Sequence, residues 1–472
     1  MIRVILLVVV CVPIFAFAQS TPPADSSLES FYNRLRTSLV AVQYRWRGEL
    51  AEQTVVGGGV VVREDGLVAI PLVLVSPLIP DAQMTEFKII IPSDTGDETE
   101  IPAVLDGRDE RDDLAYVQPK SSDHKWTPVH FEDEPVSVGQ TIYSIGLLPK
   151  MAGYKAYLTQ SIVSTTLRGE IPQVLVSGGL SGVGGLVFDS SFHAIGLVYP
   201  QEGQDVLLDP RNDFTGVITP AHFFVQTRFF APSVADPPTP DHPIHLPWIG
   251  VTGMSGIKPE AAEYFGLKNQ PAVQIGDVIP GQPAAKAGLQ SGDIIIKMNG
   301  EKLERGDLPE ELPLILTRHL RQLPVGAKIT LTVLSIGGGP AHDVTLTLGD
   351  RPKEANLARR YYAKDLGFVA REAVFSDAYA HKMAPDAKGV VIDLIRRDGA
   401  AATAKLNRDD WVLQLNGELV TDFDQFKHDY EAFRRDHSKD AVVLVVHRRD
   451  GSEETINIEP PQTDDTGGGG MP

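Results

Sequence analysis

Short apolar runs broken by turn-forming residues fill the first half of the chain. Val60-Val61-Val62 gives way to Glu64-Asp65-Gly66, the run from Phe87 to Ile91 stops at Pro92-Ser93-Asp94, and Ala194 to Val198 forms another run. Strand-length runs at this spacing predict an all-β barrel or sandwich reaching to about Phe230. Ahead of them, SSLESFYNRLRTSL, from Ser26 to about Leu39, predicts a short amphipathic helix with a serine cap and an acidic first turn. Residues 231–247, APSVADPPTPDHPIHLP, predict a semi-rigid linker, because proline fixes φ and removes a ladder donor. A weaker break falls between Asp350 and Arg359, and residues 460–472 are expected to form a flexible tail.

Between these breaks the chain repeats itself. Pro283-Ala284-Ala285-Lys286-Ala287-Gly288-Leu289 is followed by Asp293 and Asn299-Gly300; Ala400-Ala401-Ala402-Thr403-Ala404-Lys405-Leu406 is followed by Asp410 and Asn416-Gly417. One offset of 117 residues links Pro283 to Ala400 and Gly250 to Gly367. Two modules are expected, over 248–352 and 359–459. In the second, Lys405 and Asp409 stand where the first has Gly288 and Gly292.

Each copy opens with a hydrophobic-Gly-hydrophobic turn, Trp248-Ile249-Gly250-Val251 and Asp365-Leu366-Gly367-Phe368. With AAKAGLQSGDIIIKMNG downstream, the modules resemble PDZ domains in the permuted form found in bacterial proteases. The resemblance implies an α+β module whose glycine loop points backbone N–H groups at the terminal carboxylate of a peptide, which adds as a strand beside it. Trp248, Ile249, Gly250 and Val251, and likewise Asp365, Leu366, Gly367 and Phe368, become the expected peptide-binding residues. The alternative for either copy is a module that packs internally and meets no ligand.

The region from about 26 to 230 resembles the chymotrypsin-like double β-barrel of the HtrA/Deg serine proteases, so the fold class expected is mainly β: a double barrel followed by two PDZ domains. The resemblance rests on Gly57-Gly58-Gly59-Val60, Glu64-Asp65-Gly66, Gly107-Arg108-Asp109, Asp113-Leu114-Ala115 and the loop Ser181-Gly182-Val183-Gly184-Gly185-Leu186-Val187. Carried over, the catalytic histidine position falls on Val73, the aspartate on Asp113 and the serine on Val183. A serine is a poor nucleophile until an imidazole takes its proton, and the aspartate only orients that imidazole. Valine does neither. The first histidine of the chain is His124, after Asp113, whereas this fold uses the order His, Asp, Ser. The expectation is a degenerate protease without catalytic residues that holds C-terminal or extended hydrophobic segments as a scaffold, chaperone-like holder or regulator. The alternative is a serine endopeptidase whose nucleophile is Ser181, with His193 as base.

Charge and the N-terminus narrow the setting. A formal net charge of −19 without a Lys/Arg stripe argues against nucleic acid as partner. Arg3, the apolar stretch from Val4 to Phe15 and Ala16-Phe17-Ala18 read as a signal peptide cleaved after Ala18, so export to the periplasm or beyond the cell is expected, with no stable membrane span. The only cysteine, Cys11, lies within that segment, so the mature chain carries no disulfide or zinc-thiolate site. No cofactor or metal is expected. His242 and His245 lack further ligands, and the acidic run Asp109, Glu110, Asp112, Asp113 reads as a solvated loop rather than a calcium site. The expected partners are peptide or protein C-termini, active relatives of the family and further copies of the chain, most simply in a trimer.

Overall fold

The structure is a computed structural model that describes residues 28–48, 52–77, 79–93, 98–121, 123–200, 221–267 and 270–461. The signal-peptide expectation, Cys11 and all but the first two residues of the expected tail lie outside the described residues. Among the described residues no helix is long and apolar enough to cross a membrane.

Two closed six-stranded barrels form the first half. The first closes in the order Leu39–Arg47, Glu52–Val61, Val68–Pro71, Leu114–Pro119, Thr99–Asp109, Met84–Ile91. The second runs Leu186–Phe188, Ala194–Tyr199, Ala221–Gln226, Gln173–Leu180, Ala156–Leu167, Thr141–Leu147. Closure removes the edges that an open sheet would expose. The predicted N-terminal helix is shorter than expected, Leu28–Leu35, and ends in a 3-10 turn, Arg36–Ser38, because Leu39 is already the first barrel residue. Its Phe31 is 5% exposed and meets Phe188 edge-on at 4.8 Å and Phe192 stacked at 4.3 Å. Burial of one such ring contributes about 2–3 kcal/mol, enough to fix the helix against the second barrel.

The glycine run 57–59 lies inside the strand Glu52–Val61. Its role is close approach: a Cβ on Gly184 would stand 2.4 Å from the Gly58 carbonyl oxygen, so the two barrels meet backbone to backbone at the loop that carries Val183. Residues 231–247 differ from expectation. Ala231–Ala235 is helical, Ser233 is buried and shares a 2.7 Å hydrogen bond with Tyr116, and the Pro238 carbonyl packs against Gly107. The proline-rich segment is pinned to the first barrel and is not a free spacer.

Each repeat folds into its own sheet over its own core. In the first, Ser255–Gly256, Val273–Gln274, Ile294–Met298, Lys328–Leu334 and His342–Thr347 pair in that order; in the second, Arg360–Ala363, Phe368–Glu372, Val390–Ile395, Trp411–Leu415, Val442–His447 and Glu453–Ile458 do. The short helices Pro283–Lys286 and Ala400–Thr403, and the longer Glu311–Arg321 and Phe423–Asp436, complete the copies. Lys405 and Asp409 take φ of 64° and 68°, so the second copy keeps the left-handed turns of Gly288 and Gly292 with side chains that disfavour them.

Candidate peptide-binding modules and the cleft between the barrels

Val73 and Asp113 line one cleft between the barrels, a pocket of about 290 Å³ that also takes in Leu72, Gln173 and Tyr199. Val73 sits on the 3-10 turn Leu72–Val75, after the strand rather than on it, and is 45% exposed. Asp113 adopts φ 52°, and its carbonyl accepts the Leu72 N–H at 2.8 Å, which ties the two positions together. Solvent reaches Asp113, yet protein surrounds it on most sides. That recessed position raises its carboxyl pKa to about 6; Arg321 opposes the shift, and Glu170 and Glu110 add to it. Tyr199 is spent on the Asp112 carbonyl, to which its hydroxyl donates at 2.6 Å. Among the residues lining this cleft Asp113 is the one carboxyl, Ser76 adds a hydroxyl, and no imidazole is present.

Val183 is 6% exposed and packs its carbonyl against Gly58, outside the residues that line the cleft. In chymotrypsin-like sites the oxyanion is held by the N–H of the nucleophile residue and of the residue two before it. The latter is Ser181, whose N–H already donates to Ser144 Oγ at 2.7 Å. The Ser181 side chain points into the wall of the second barrel: it is fully buried, a Cβ on Gly185 would stand 2.3 Å from its Oγ, and that hydroxyl has no hydrogen-bond partner. His193 is engaged elsewhere, with Nδ1 at 3.3 Å from Asp189 Oδ2 and Nε2 at 3.7 Å from Glu132 Oε2. The structure does not bring Ser181 and His193 together. Ligand atoms of Glu132, Glu134 and His193 lie within 4.8 Å of one another, an exposed acidic group at the surface.

The acidic run corrects another expectation. Asp109 is fully buried and Asp112 is 4% exposed. Arg111 holds Asp109 through its own N–H, Nε and Nη2, at 2.9, 3.1 and 2.8 Å. Burial pushes the Asp112 carboxyl up to about 7, with the Asp109 charge adding to it and Arg111 opposing. What covers this turn is the end of the first module's helix Glu311–Arg321. Arg321 donates to the Glu110 carbonyl at 3.3 Å and pairs with Glu170, Arg318 donates to the Gly169 carbonyl at 3.1 Å, and Arg351 pairs with Glu110. The first module is thereby clamped beside Asp113. No sequence signal pointed to this clamp, because its partners lie over 140 residues apart.

In the first module, Gly250 takes φ +84°, where a side chain would also meet Gln282. The carbonyls of Ile249 and Gly250 accept N–H bonds from Ala284 at 2.8 Å and Ile279 at 3.0 Å, which fixes the loop. Val251–Thr252 pairs with Asp277–Val278, and Ser255–Gly256 pairs with Val273–Gln274, each along one edge. No strand occupies the other edge among the described residues. The helix Glu311–Arg321 faces it, with Leu312, Ile315, Leu316 and Leu320 buried. At the far end the Pro309 carbonyl closes on Gly256.

The second module departs from the expected cradle. Its strand Phe368–Glu372 is paired along both edges, to Arg360–Ala363 on one side and Val390–Ile395 on the other. Strand addition needs a free edge, and none is left. The Gly367 N–H donates to the Ala363 carbonyl at 2.8 Å, Leu366 and Phe368 are fully buried, and Asp365 is held by Tyr430 at 2.9 Å and Arg434 at 2.6 Å. The four residues expected to receive a carboxylate are consumed by the chain itself.

The PDZ domain family matches residues 274–314, within the first module. A "Probable periplasmic serine endoprotease DegP-like" of Marinomonas sp. (strain MWYL1) is 29% identical over 344 residues, 70% of this chain and 66% of the relative. One of the same description from Rhizobium meliloti (strain 1021) is 25% identical over 449 residues, 91% of this chain and 82% of the relative. Among solved structures, "HtrA-type protease AlgW with decapeptide" superposes with a TM-score of 0.52 at 17% identity, over 70% of this chain and all of that one. At that identity the likeness is one of fold. Two barrels, a PDZ domain and relatives aligned along most of its length make the chain similar to the HtrA/DegP proteases.

Proposed function

We propose that this protein is a non-hydrolytic, exported member of its family that captures peptide C-termini or extended hydrophobic segments through its first PDZ module. The observation that carries the reading is the cleft between the barrels, whose lining includes Val73 and Asp113 but no imidazole, with Val183, at the position the family's serine would take, outside that lining. Hydrolysis by the serine mechanism needs a hydroxyl beside an imidazole that takes its proton. The used Ser181 N–H and its inward-facing hydroxyl add to the argument, since neither an oxyanion nor a nucleophile has a place there.

Under this reading Trp248, Ile249, Gly250 and Val251 receive the ligand, while Asp365, Leu366, Gly367 and Phe368 are structural. The domain limits proposed are 26–230 for the protease-like unit, 248–352 for the first module and 359–459 for the second. The periplasmic description of the relatives supports a role in envelope protein quality control, as holder or as regulator of active relatives, in a homo-oligomer. The test is reaction of the mature protein with a fluorophosphonate probe beside a casein digest. Neither labelling nor cleavage is expected. Labelling that disappears in Ser181→Ala would replace this reading with an endopeptidase that has a relocated nucleophile.

A further inference from the structure

Where the two modules meet they enclose a pocket of about 560 Å³, a size typical of ligand sites. The first module supplies Trp248, Thr252 and Ile279, and the second supplies Phe375, Tyr379 and Arg408. Trp248 and Phe375 meet edge to face at 5.8 Å, the one ring contact between the modules among the described residues. A smaller chamber of about 270 Å³ continues from it, sharing Ile279, Phe375 and Tyr379 and adding Met383. Tyr379 is 45% exposed and its face is open to this space.

The charges around the pocket are unequal. Five cationic side chains line it against two carboxylates, Glu354 and Asp393. Four of the five are satisfied within the protein. Arg371 and Arg360 share Asp393 at 3.3 and 2.7 Å, Lys353 pairs with Glu372 at 2.7 Å, and Arg351 pairs with Glu110 and Glu354. Arg408 is exposed and makes no ion pair among the described residues. An apolar, aromatic wall beside an uncompensated guanidinium suits a ligand with an apolar side chain next to a carboxylate.

We propose that this inter-module pocket is a second binding site, taking an acidic peptide segment whose apolar side chain packs on Ile279, Phe375 and Tyr379 while its carboxylate meets Arg408. The site needs no free C-terminus and goes beyond the function proposed above, although it shares Trp248 with the glycine-loop cradle. It exists only while the modules stay docked, because each supplies half of it.

The experiment is fluorescence anisotropy on the intact mature protein with two labelled probes. One is the C-terminally amidated hexapeptide Asp-Glu-Leu-Phe-Asp-Glu, and the other is a neutral apolar hexapeptide with a free carboxylate. The amidated probe is expected to bind, and to bind at least about tenfold more weakly to Arg408→Glu and to Tyr379→Ser, the loss of one charge-assisted or packing contact. Both side chains are exposed, and circular dichroism of each variant reports that the fold is kept. The neutral probe is expected to bind the wild type and both variants alike. Amidated-probe affinity unchanged in Arg408→Glu, or no binding of that probe to the wild type, overturns the proposal. Failure of the neutral probe alone would overturn the C-terminal capture proposed above and leave the pocket standing.

Discussion

The two modules carry the same loop and the same turns, yet one edge is open and the other is filled. The difference lies in the four residues before the glycine loop. In the second module they are Arg360-Tyr361-Tyr362-Ala363, which pair with Phe368–Glu372 in full register, and Tyr361 packs on Tyr430 with ring centres 5.7 Å apart. In the first module the matching positions are Pro243-Ile244-His245-Leu246, with Pro247 next. Proline donates no ladder hydrogen bond and tyrosine favours a half-buried strand, so one segment pairs and the other does not. Residues Pro247–Trp248 pair instead with Gly349–Asp350. Under the proposed function the carboxylate loop alone does not suffice for capture; the residues that keep its neighbouring edge vacant decide.

The modules also differ in what holds them. The second is braced from within by Arg371, 3% exposed, which makes a bidentate pair with Asp377 at 2.6 and 2.7 Å and reaches Asp393. The first has Met254 at the equivalent position and is braced from outside by the clamp onto the barrels. The largest effect is therefore expected from Arg371→Ala, which strands the Asp377 carboxylate and leaves Asp393 to Arg360 alone. It should cost the second module about 3–5 kcal/mol, read as loss of its unfolding transition in denaturant, with the barrels unaffected. A loss near zero would show that the brace is incidental.

Next comes Tyr361→Pro with Tyr362→Pro. Successive N–H groups in a strand face opposite sides, so the pair removes whichever donor joins the ladder. About 3 kcal/mol of local stability should be lost, and isothermal titration with a neutral free-carboxylate peptide should rise from one site to two. An unchanged single site would mean that the second loop cannot bind even when uncovered.

The first module's anchor is open to pH. Asp112 titrates at about 7 in the folded protein, against 3.8 for an unperturbed group. Because its folded pKa is raised, its protonated form stabilises the fold below the unfolded value, and that contribution is lost as pH rises through about 7. Stability should be greater at pH 5 than at pH 8 on this account. Asp112→Asn should remove on the order of 1–2 kcal/mol of that difference, discounted for its neighbours, as followed by thermal melts across pH. A pH profile unchanged by the substitution would contradict the burial of this turn. The smallest effect expected is from Lys405→Gly, which restores the residue found at Gly288. Relief of the left-handed strain should outweigh the added chain entropy by about 0.5 kcal/mol, and a destabilised variant would mean that the Lys405 side chain is used.

The barrels, the repeat and both glycine loops were legible in the sequence because they rest on local signals, apolar runs between turns and a fixed offset. Valine at 73 and 183 was legible too, and the proposal that these residues replace a histidine and a serine rests on the family's pattern. What escaped depends on contacts between distant residues. The acidic turn looks like a solvated loop until Arg318, Arg321 and Arg351 are seen to cover it, and the proline-rich segment looks like a spacer until Ser233 meets Tyr116. The filled edge of the second module had a local trace in Tyr361-Tyr362, a pair suited to a strand and placed ahead of a tight turn.

The most direct test of the whole account is native mass spectrometry of the mature protein mixed with a neutral apolar peptide that carries a free carboxylate. It reads stoichiometry and ligand mass together. One intact peptide per chain is the result expected for a protein that captures through its first module and cannot cut. Two peptides per chain would contradict the closed second module, and fragments of the peptide would contradict the inert cleft.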